Sequence, residues 1–489
     1  MSVKRRIFRC IAAGAAFASS ILAGAYSQGI STLRDAEIED FLDDYSQPIF
    51  RAAGLPENSI KIIIVNDQTF NAFAGGRYMG VNSGLLTIAE TPNQVEAVIA
   101  HEAGHLAGGH TARSDEMIAQ ATRPMLLGLV LAAGAIAAGA PDIGIGVLGL
   151  GQNIGTANLL RYSRGQESAA DQASITFLDE IGHSSKGALE LWRKMRNSQI
   201  IRGDQINPYF QSHPLANQRL TALQSRAEAS PYFNETDSPE EIARFRLIQA
   251  KIRGFLTDPN AVLRRYPLSD QSDPAHYART VAYYRNSEIE KALSEIRTLT
   301  DLYPDNPYFH ELEGQILFEY GRVDEAITPH SRAVELASDK ALLRINLARA
   351  LLASQEPSNR QQSIVELKRA LLLEPDNSFG WFELARAYSA SGDEAMANLA
   401  TAESKYHAGA APDAIAFARR AMAGLDRNSR EWRQAADIIV AATPGDQKPV
   451  LAPGTDTNEQ PGLPPDAPEN GEKGEQDVPD PTLTIIDSL

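Results

Sequence analysis

Pro304-Asp305-Asn306 returns as Pro375-Asp376-Asn377, 71 residues later, an interval of two periods of 34 plus three. The three extra residues have an evident home in Ser354-Gln355-Glu356-Pro357-Ser358-Asn359, a polar, turn-forming run. Small residues recur twelve apart within the period, Gly314 with Ala326 and Ala385 with Ala397. At that offset they let paired helices pack closely. A unit of this size cannot bury its apolar face alone, so copies must stack on their neighbours. Residues 273–440 are therefore predicted to form an all-α solenoid of about four repeats, the first and last degenerate as capping units are. Gly321-Arg322-Val323-Asp324-Glu325-Ala326 is echoed by Gly392-Asp393-Glu394.

A chain of 489 residues is too long for one hydrophobic core, and its first half carries a different signal. His101-Glu102-Ala103-Gly104-His105 reads H-E-x-x-H. A helix opens before it, with Thr91 as N-cap, Pro92 at the first helical position and Gln94 completing a capping box. Val95, Val98 and Ile99 supply its core face. Imidazoles four residues apart on a helix lie about 40° apart around the axis and one turn apart along it. Both can then reach one Zn²⁺ at about 2.0–2.1 Å. Glu102 points into a neighbouring sector, close enough to hold a metal-bound water without ligating the metal. These residues in this spacing predict a zinc-dependent peptidase.

Two histidines leave the site incomplete, since a catalytic zinc takes three protein donors and an open position. His110 stands five residues after His105, where a metzincin-type third histidine would stand six after and Thr111 occupies the place. On a continuing helix His110 is about 140° around from His105. Without a break at Gly108-Gly109 its role is structural or supporting. Glu167 is the predicted third donor, within Tyr162-Ser163-Arg164-Gly165-Gln166-Glu167-Ser168-Ala169-Ala170-Asp171. An E-x-x-A-D segment on a helix puts Glu167 and Asp171 on one face. Asp171 can then accept a hydrogen bond from the far nitrogen of a ligating histidine and fix its tautomer.

The remaining elements read as follows. Residues 26–60 are largely helical, Lys61-Ile62-Ile63-Ile64-Val65 is a buried strand, and 71–81 is hairpin-like. A second helix runs from Arg164 to Ile181, residues 227–241 connect, and the chain is helical from about 242. Lys4, Arg5, Arg6 and Arg9 precede an apolar stretch, Ile11 to Leu22, and Ala23-Gly24-Ala25. This is an export signal, or an uncleaved anchor in the alternative reading. Arg5-Arg6-Ile7-Phe8 faintly resembles a twin-arginine signal, but paired arginines are common in such regions. The lone Cys10 lies inside this segment, so cleavage leaves no disulfide, thiol nucleophile or thiolate ligand. A periplasmic chain fits both facts. Net charge is −16, and losing four cationic residues takes it near −20, which excludes nucleic acid as a partner class. Residues 125–150 are apolar and rich in Ala and Gly. They read either as a buried helical hairpin or as a loop covering the site or making peripheral membrane contact. From Thr443 the chain is acidic and rich in Pro and Gly, the composition of a disordered tail.

The order H-E-x-x-H, then E-x-x-A-D preceded by Tyr162-Ser163-Arg164, resembles the gluzincin peptidases of the HtpX and CAAX-prenyl-protease family. Asn71-Ala72-Phe73-Ala74, Gly80-Val81-Asn82-Ser83-Gly84-Leu85-Leu86, and Ser212-His213-Pro214 with Arg219-Leu220 resemble further segments of that family. The repeats resemble tetratricopeptide repeats. The resemblance implies His101, His105 and Glu167 as ligands of one Zn²⁺ per chain and Glu102 as general base. It implies His213 as oxyanion donor or as a fourth ligand that keeps the enzyme latent, although a surface histidine in a turn is an equal alternative from the residues alone. Asp171 would orient a ligating histidine, and Arg164 would orient Glu167 or a neighbouring carboxylate, with an ordinary surface arginine as the alternative. Asn71, Ala72 and Phe73 would bind substrate backbone as an added strand. The implied fold is an α+β zincin-like metalloprotease domain, mostly helical with a small sheet, followed by an all-α repeat solenoid. The corresponding division is 1–25 signal, 26–241 protease, 242–442 repeats and 443–489 tail. The implied function is a periplasmic endopeptidase for misfolded or stalled outer-membrane proteins that also assists their assembly. Its repeats would recruit unfolded clients or outer-membrane assembly machinery. A repeat-based chaperone or adaptor with a latent zinc site is the rival.

Overall fold

The computed structural model describes residues 31–110, 164–202, 209, 213 and 217–443. The expectations for 1–25, 125–150 and the tail beyond Thr443 lie outside the described residues.

Among the described residues four short strands form one mixed sheet in the order β1-β2-β4-β3. They are β1 (Thr32–Leu33), β2 (Lys61–Val65), β3 (Ala72–Gly75) and β4 (Tyr78–Asn82). The β-branched run of β2 pairs parallel with β4, and β3 returns antiparallel to β4 around Gly76 at φ +59°. The Phe73 ring lies across Gly80, where any Cβ would come within 2.3 Å of it. Among the described residues β3 is an edge strand.

Helix α1 (Ala36–Ala52) is shorter than the helical stretch predicted for 26–60. Asp35 fixes its start by accepting from the Ile38 N–H at 2.9 Å, and β1 precedes it. Ile38, Phe41, Leu42, Tyr45 and Ile49 recur at helical spacing and are buried. After α2 (Ser83–Ile88), α3 (Pro92–Ala107) carries the H-E-x-x-H segment through the core. Thr91 caps it as predicted, accepting from the Gln94 N–H. Gln94, however, accepts from the Glu90 N–H at 2.9 Å, one residue before the position a capping box requires. Gly109, at φ +63°, ends the helix.

Helix α4 covers 164–180. It approaches α3 so closely that a Cβ on Gly104 would stand 2.9 Å from the Ala170 Cα. α5 (Lys186–Arg202), α6 (Asn217–Glu228) and α7 (Pro239–Leu256) complete this part. α7 has a full capping box between Ser238 and Glu241. Phe245, Ile248 and Ile252 of α7 join the core around α3, while Ala250 joins the core of the repeats. A boundary at 241/242 therefore runs through a helix that both cores share.

After α8 (Pro259–Arg265), helices pair as α9 (Asp273–Arg285) with α10 (Ile289–Leu302), and α11 (Pro307–Glu319) with α12 (Val323–Leu336). Then come α13 (Ala341–Ala353) with α14 (Pro357–Leu373), α15 (Ser378–Ala390) with α16 (Glu394–His407), and α17 (Ala411–Gly424) with α18 (Arg430–Ala442). There are five such pairs among the described residues, where the sequence predicted about four repeats. The outer pairs open on other turns and escape a search keyed to Pro-Asp-Asn. Where that turn occurs, its asparagine caps the next helix: Asn306 accepts from the Tyr308 N–H and Asn377 from the Gly380 N–H. Gly321 and Gly392 turn within their pairs at positive φ, and Ser287 adopts the same conformation in the first pair. Gly314 is small because the His330 ring lies against it.

The start of α1 docks on the repeats. Lys251, fully buried, reaches Asp35 at 2.7 Å and Glu37 at 3.1 Å, and the Tyr277 hydroxyl donates to Glu37 at 2.6 Å. Arg34 pairs with Glu39 and with Glu374 of the repeats at 2.9 Å. Ala36 packs among Ala333, Val334, Leu343, Leu347 and Leu351. Removing one partner of a buried pair costs about 3–5 kcal/mol, whereas exposed pairs such as Lys61–Asp376 contribute little. The buried cluster thus dominates the polar part of this junction.

Candidate active site

Helices α3 and α4, locked together at Gly104 and Ala170, bring three predicted donors to one point. His101 Nε2 lies 3.2 Å from His105 Nε2 and 3.4 Å from Glu167 Oε2, and His105 Nε2 lies 3.4 Å from Glu167 Oε1. Bonds of about 2.05 Å at the tetrahedral angle separate neighbouring donors by roughly 3.3 Å. These separations, with both carboxylate oxygens of Glu167 facing the histidines, suit a divalent metal ion. His213 adds a fourth group, each residue offering one donor atom within 4.8 Å of the others. Its Nδ1 is 3.1 Å from Glu167 Oε1, and its Nε2 is 3.5 Å from Glu102 Oε1. All five side chains are buried or nearly so.

The surrounding groups fix the ligands. Asp171 Oδ1 lies 3.1 Å from His101 Nδ1, off the line of the ring N–H. His105 Nδ1 contacts His110 Nδ1 at 2.9 Å, because the turn at Gly109 breaks the helix and swings His110 back. Arg219 of α6 grips both carboxylates. Its Nε and Nη2 donate to Asp171 at 2.7 and 2.8 Å, and Nη1 lies 2.9 Å from Glu167 Oε2. Arg219, which the sequence did not single out for an orienting role, thus contacts both carboxylates. Arg164 is exposed at the outer end of the described part of α4. Arg219 sits in a segment that the family resemblance singled out, but its partners are 48 and 52 residues away in sequence. A helix-face pattern carries no trace of that pairing.

Electrostatics follow the geometry. Burial disfavours the His101 imidazolium, yet Asp171 and Glu167 outweigh it and lift its pKa to about 10. Burial, and then the charge of His101, press His105 down to about 3. Burial opposes ionisation of Glu167, but His101 and His213 hold it well below the usual carboxylate range. Burial pushes Glu102 up, against the pull of His213 and His101. A raised carboxylate beside a cluster of nitrogen and oxygen donors is suited to taking up and returning a proton.

Of the predicted substrate strand, Ala72 is buried in the core, and Asn71 and Phe73 are half-buried. α3 packs against β3. The outer edge of β3 carries no strand among the described residues. Asn71 Oδ1 is buried without a hydrogen-bond partner.

Residues 33–227 match the family model for Peptidase family M48. The chain is 23% identical over 391 residues to the beta-barrel assembly-enhancing protease of Escherichia coli strain K12, covering 79% of each chain. It is 24% identical over 383 residues to the protein of that name from Yersinia pestis, covering 75% of this chain and 76% of the relative. It is also 30% identical over 177 residues to the metalloprotease LoiP of Escherichia coli strain K12, covering 36% of this chain and 65% of the relative.

Proposed function

With an M48 peptidase domain over residues 33–227 the chain is a metalloendopeptidase, and we propose that it is a periplasmic zinc enzyme that degrades misfolded or stalled outer-membrane proteins and assists their assembly. The spacing of His101, His105 and Glu167, near the edges of a zinc tetrahedron, carries this reading. Names of full-length relatives support the client class. A basic, then apolar, N-terminal segment supports export. Among the described residues no helix is long and apolar enough to cross a membrane.

Zinc, when bound, lowers the pKa of water and polarises the scissile carbonyl. Glu102 takes the proton of the attacking water and returns it to the leaving amine. The β3 edge pairs with the substrate backbone as an added strand, with Asn71, Ala72 and Phe73 along it. Backbone pairing tolerates many sequences, as unfolded clients require. The repeats bring clients or assembly machinery to the protease. His213 closes the fourth position in a latent state and donates to the oxyanion once displaced.

Glu102→Gln in the full chain tests the reading. Cleavage of an unfolded outer-membrane protein should disappear, with one zinc and client binding retained. Cleavage at the unaltered rate would refute it. The position of His213 inside the donor cluster favours a second reading, an adaptor with a mostly latent site. Client binding without cleavage under activating conditions, unchanged in His213→Ala, would decide for that reading.

A further inference from the structure

Three aromatic rings form a column that ends on the donor cluster. Trp192 of α5 stacks on Tyr209 with centroids 5.1 Å apart and planes 26° apart. Tyr209 stacks on His213 at 4.6 Å and 25°. The His213 N–H donates to the Tyr209 carbonyl at 2.8 Å. One helical turn thus sets the two side chains side by side. The far end of the column is fixed by burial. Trp192 and Tyr209 are 2% and 1% exposed, Phe70 meets Tyr209 edge-on at 5.3 Å, and Trp192 meets His101 edge-on at 6.0 Å. At the near end the His213 ring is 5.3 Å from that of His101 and 5.1 Å from that of His105.

An imidazole has two side-chain torsions and swings freely unless something covers its face. Here one face is covered by a phenol that is itself sandwiched against an indole. We propose that Trp192 and Tyr209 are positioning residues that hold His213 in the donor cluster, and so set how firmly the fourth position is closed. The inference rests on the reading of His213 as a fourth donor. Each stacked pair shifts an equilibrium by roughly 2- to 13-fold, so the column governs the balance between closed and open His213. The buried Tyr209 hydroxyl also lies near enough to Glu102 for the two to interact electrostatically, which sets the column beside the general base. Tyr209→Phe removes the hydroxyl and leaves the stack.

The experiment uses the full chain, with zinc retention measured by chelator competition and coordination by the absorption of the cobalt(II) form. Tyr209→Leu and Trp192→Leu should weaken metal retention about 3- to 10-fold and shift the cobalt spectrum toward that of His213→Ala. Tyr209→Phe should stay within about two-fold of the unaltered protein, and Tyr209→Leu added to His213→Ala should change nothing further. Unaltered retention in both leucine variants, while His213→Ala weakens it, overturns the inference and leaves His213 a donor. Unaltered retention in His213→Ala itself removes His213 from the donors, and the inference falls with it. Should the leucine variants fail to fold, histidine-labelled NMR of the unaltered chain decides. Ring protons of His213 shifted upfield, and still so in Tyr209→Phe, support the column; ordinary imidazole positions overturn it.

Discussion

Replacing Arg219 with alanine is the sharpest test of how the site is held. The guanidinium makes two charge-assisted contacts with Asp171 and one with Glu167, between 2.7 and 2.9 Å, and is 7% exposed. Alanine strands two buried carboxylates. The cost of removing one partner of such a group is about 3–5 kcal/mol. Part of that cost is repulsion between Asp171 and Glu167, so Asp171→Asn in the Arg219→Ala background should recover some of it. The loss should also reach the metal, because residues that orient ligands typically change affinity by 10- to 100-fold. Arg219→Lys should recover little, since one ammonium cannot fork onto Asp171 while contacting Glu167. Denaturant unfolding of the metal-free chain reads the first quantity, and chelator competition for zinc reads the second. If Arg219→Ala unfolds like the unaltered protein and keeps zinc affinity within about two-fold, Arg219 neither neutralises nor orients these carboxylates. Loss of stability without loss of zinc affinity would make its role purely structural.

Gly104→Ala should destabilise by about 1–3 kcal/mol and weaken zinc binding, because the new methyl pushes α4, and Glu167 with it, away from α3; normal zinc titration would count against that contact. Buried Glu311 has its pKa raised from 4.5 to about 7, first by burial and against the pull of Lys251. The folded chain therefore holds a proton that the unfolded chain loses from about pH 4.5, and stability falls as pH rises from 4.5 to 7, by up to about 3 kcal/mol. Glu311→Gln should flatten that window in thermal melts, and an unchanged slope would refute the assignment. Tyr277→Phe leaves Glu37 one donor short and should cost about 1–3 kcal/mol, read by thermal unfolding. Zinc at 1,000 times its dissociation constant should stabilise the folded chain by about 4 kcal/mol, with Glu167→Gln greatly reducing the gain; an equal gain in that variant would exclude Glu167 as a ligand.

Local order was legible wherever a chemical signal and its consequence lie within one or two helical turns. The spacing of His101, Glu102 and His105, the Thr91 cap, the E-x-x-A-D face and the asparagine turns of the repeats all follow from 3.6 residues per turn. Even there the contacts could slip by a position, as Gln94 did when it bonded Glu90 in place of Thr91. The number of helix pairs was less legible, because terminal units replace the recurring turn with others that orient the chain equally well. What tertiary structure alone decided is which distant side chains share a space: Arg219 beside Glu167, the Trp192 ring against His101, and Asp35 and Glu37 around Lys251. These pairings join segments tens to hundreds of residues apart. Buried charges and rings find each other through the packing of whole helices, and nothing in the local period of either segment encodes its partner.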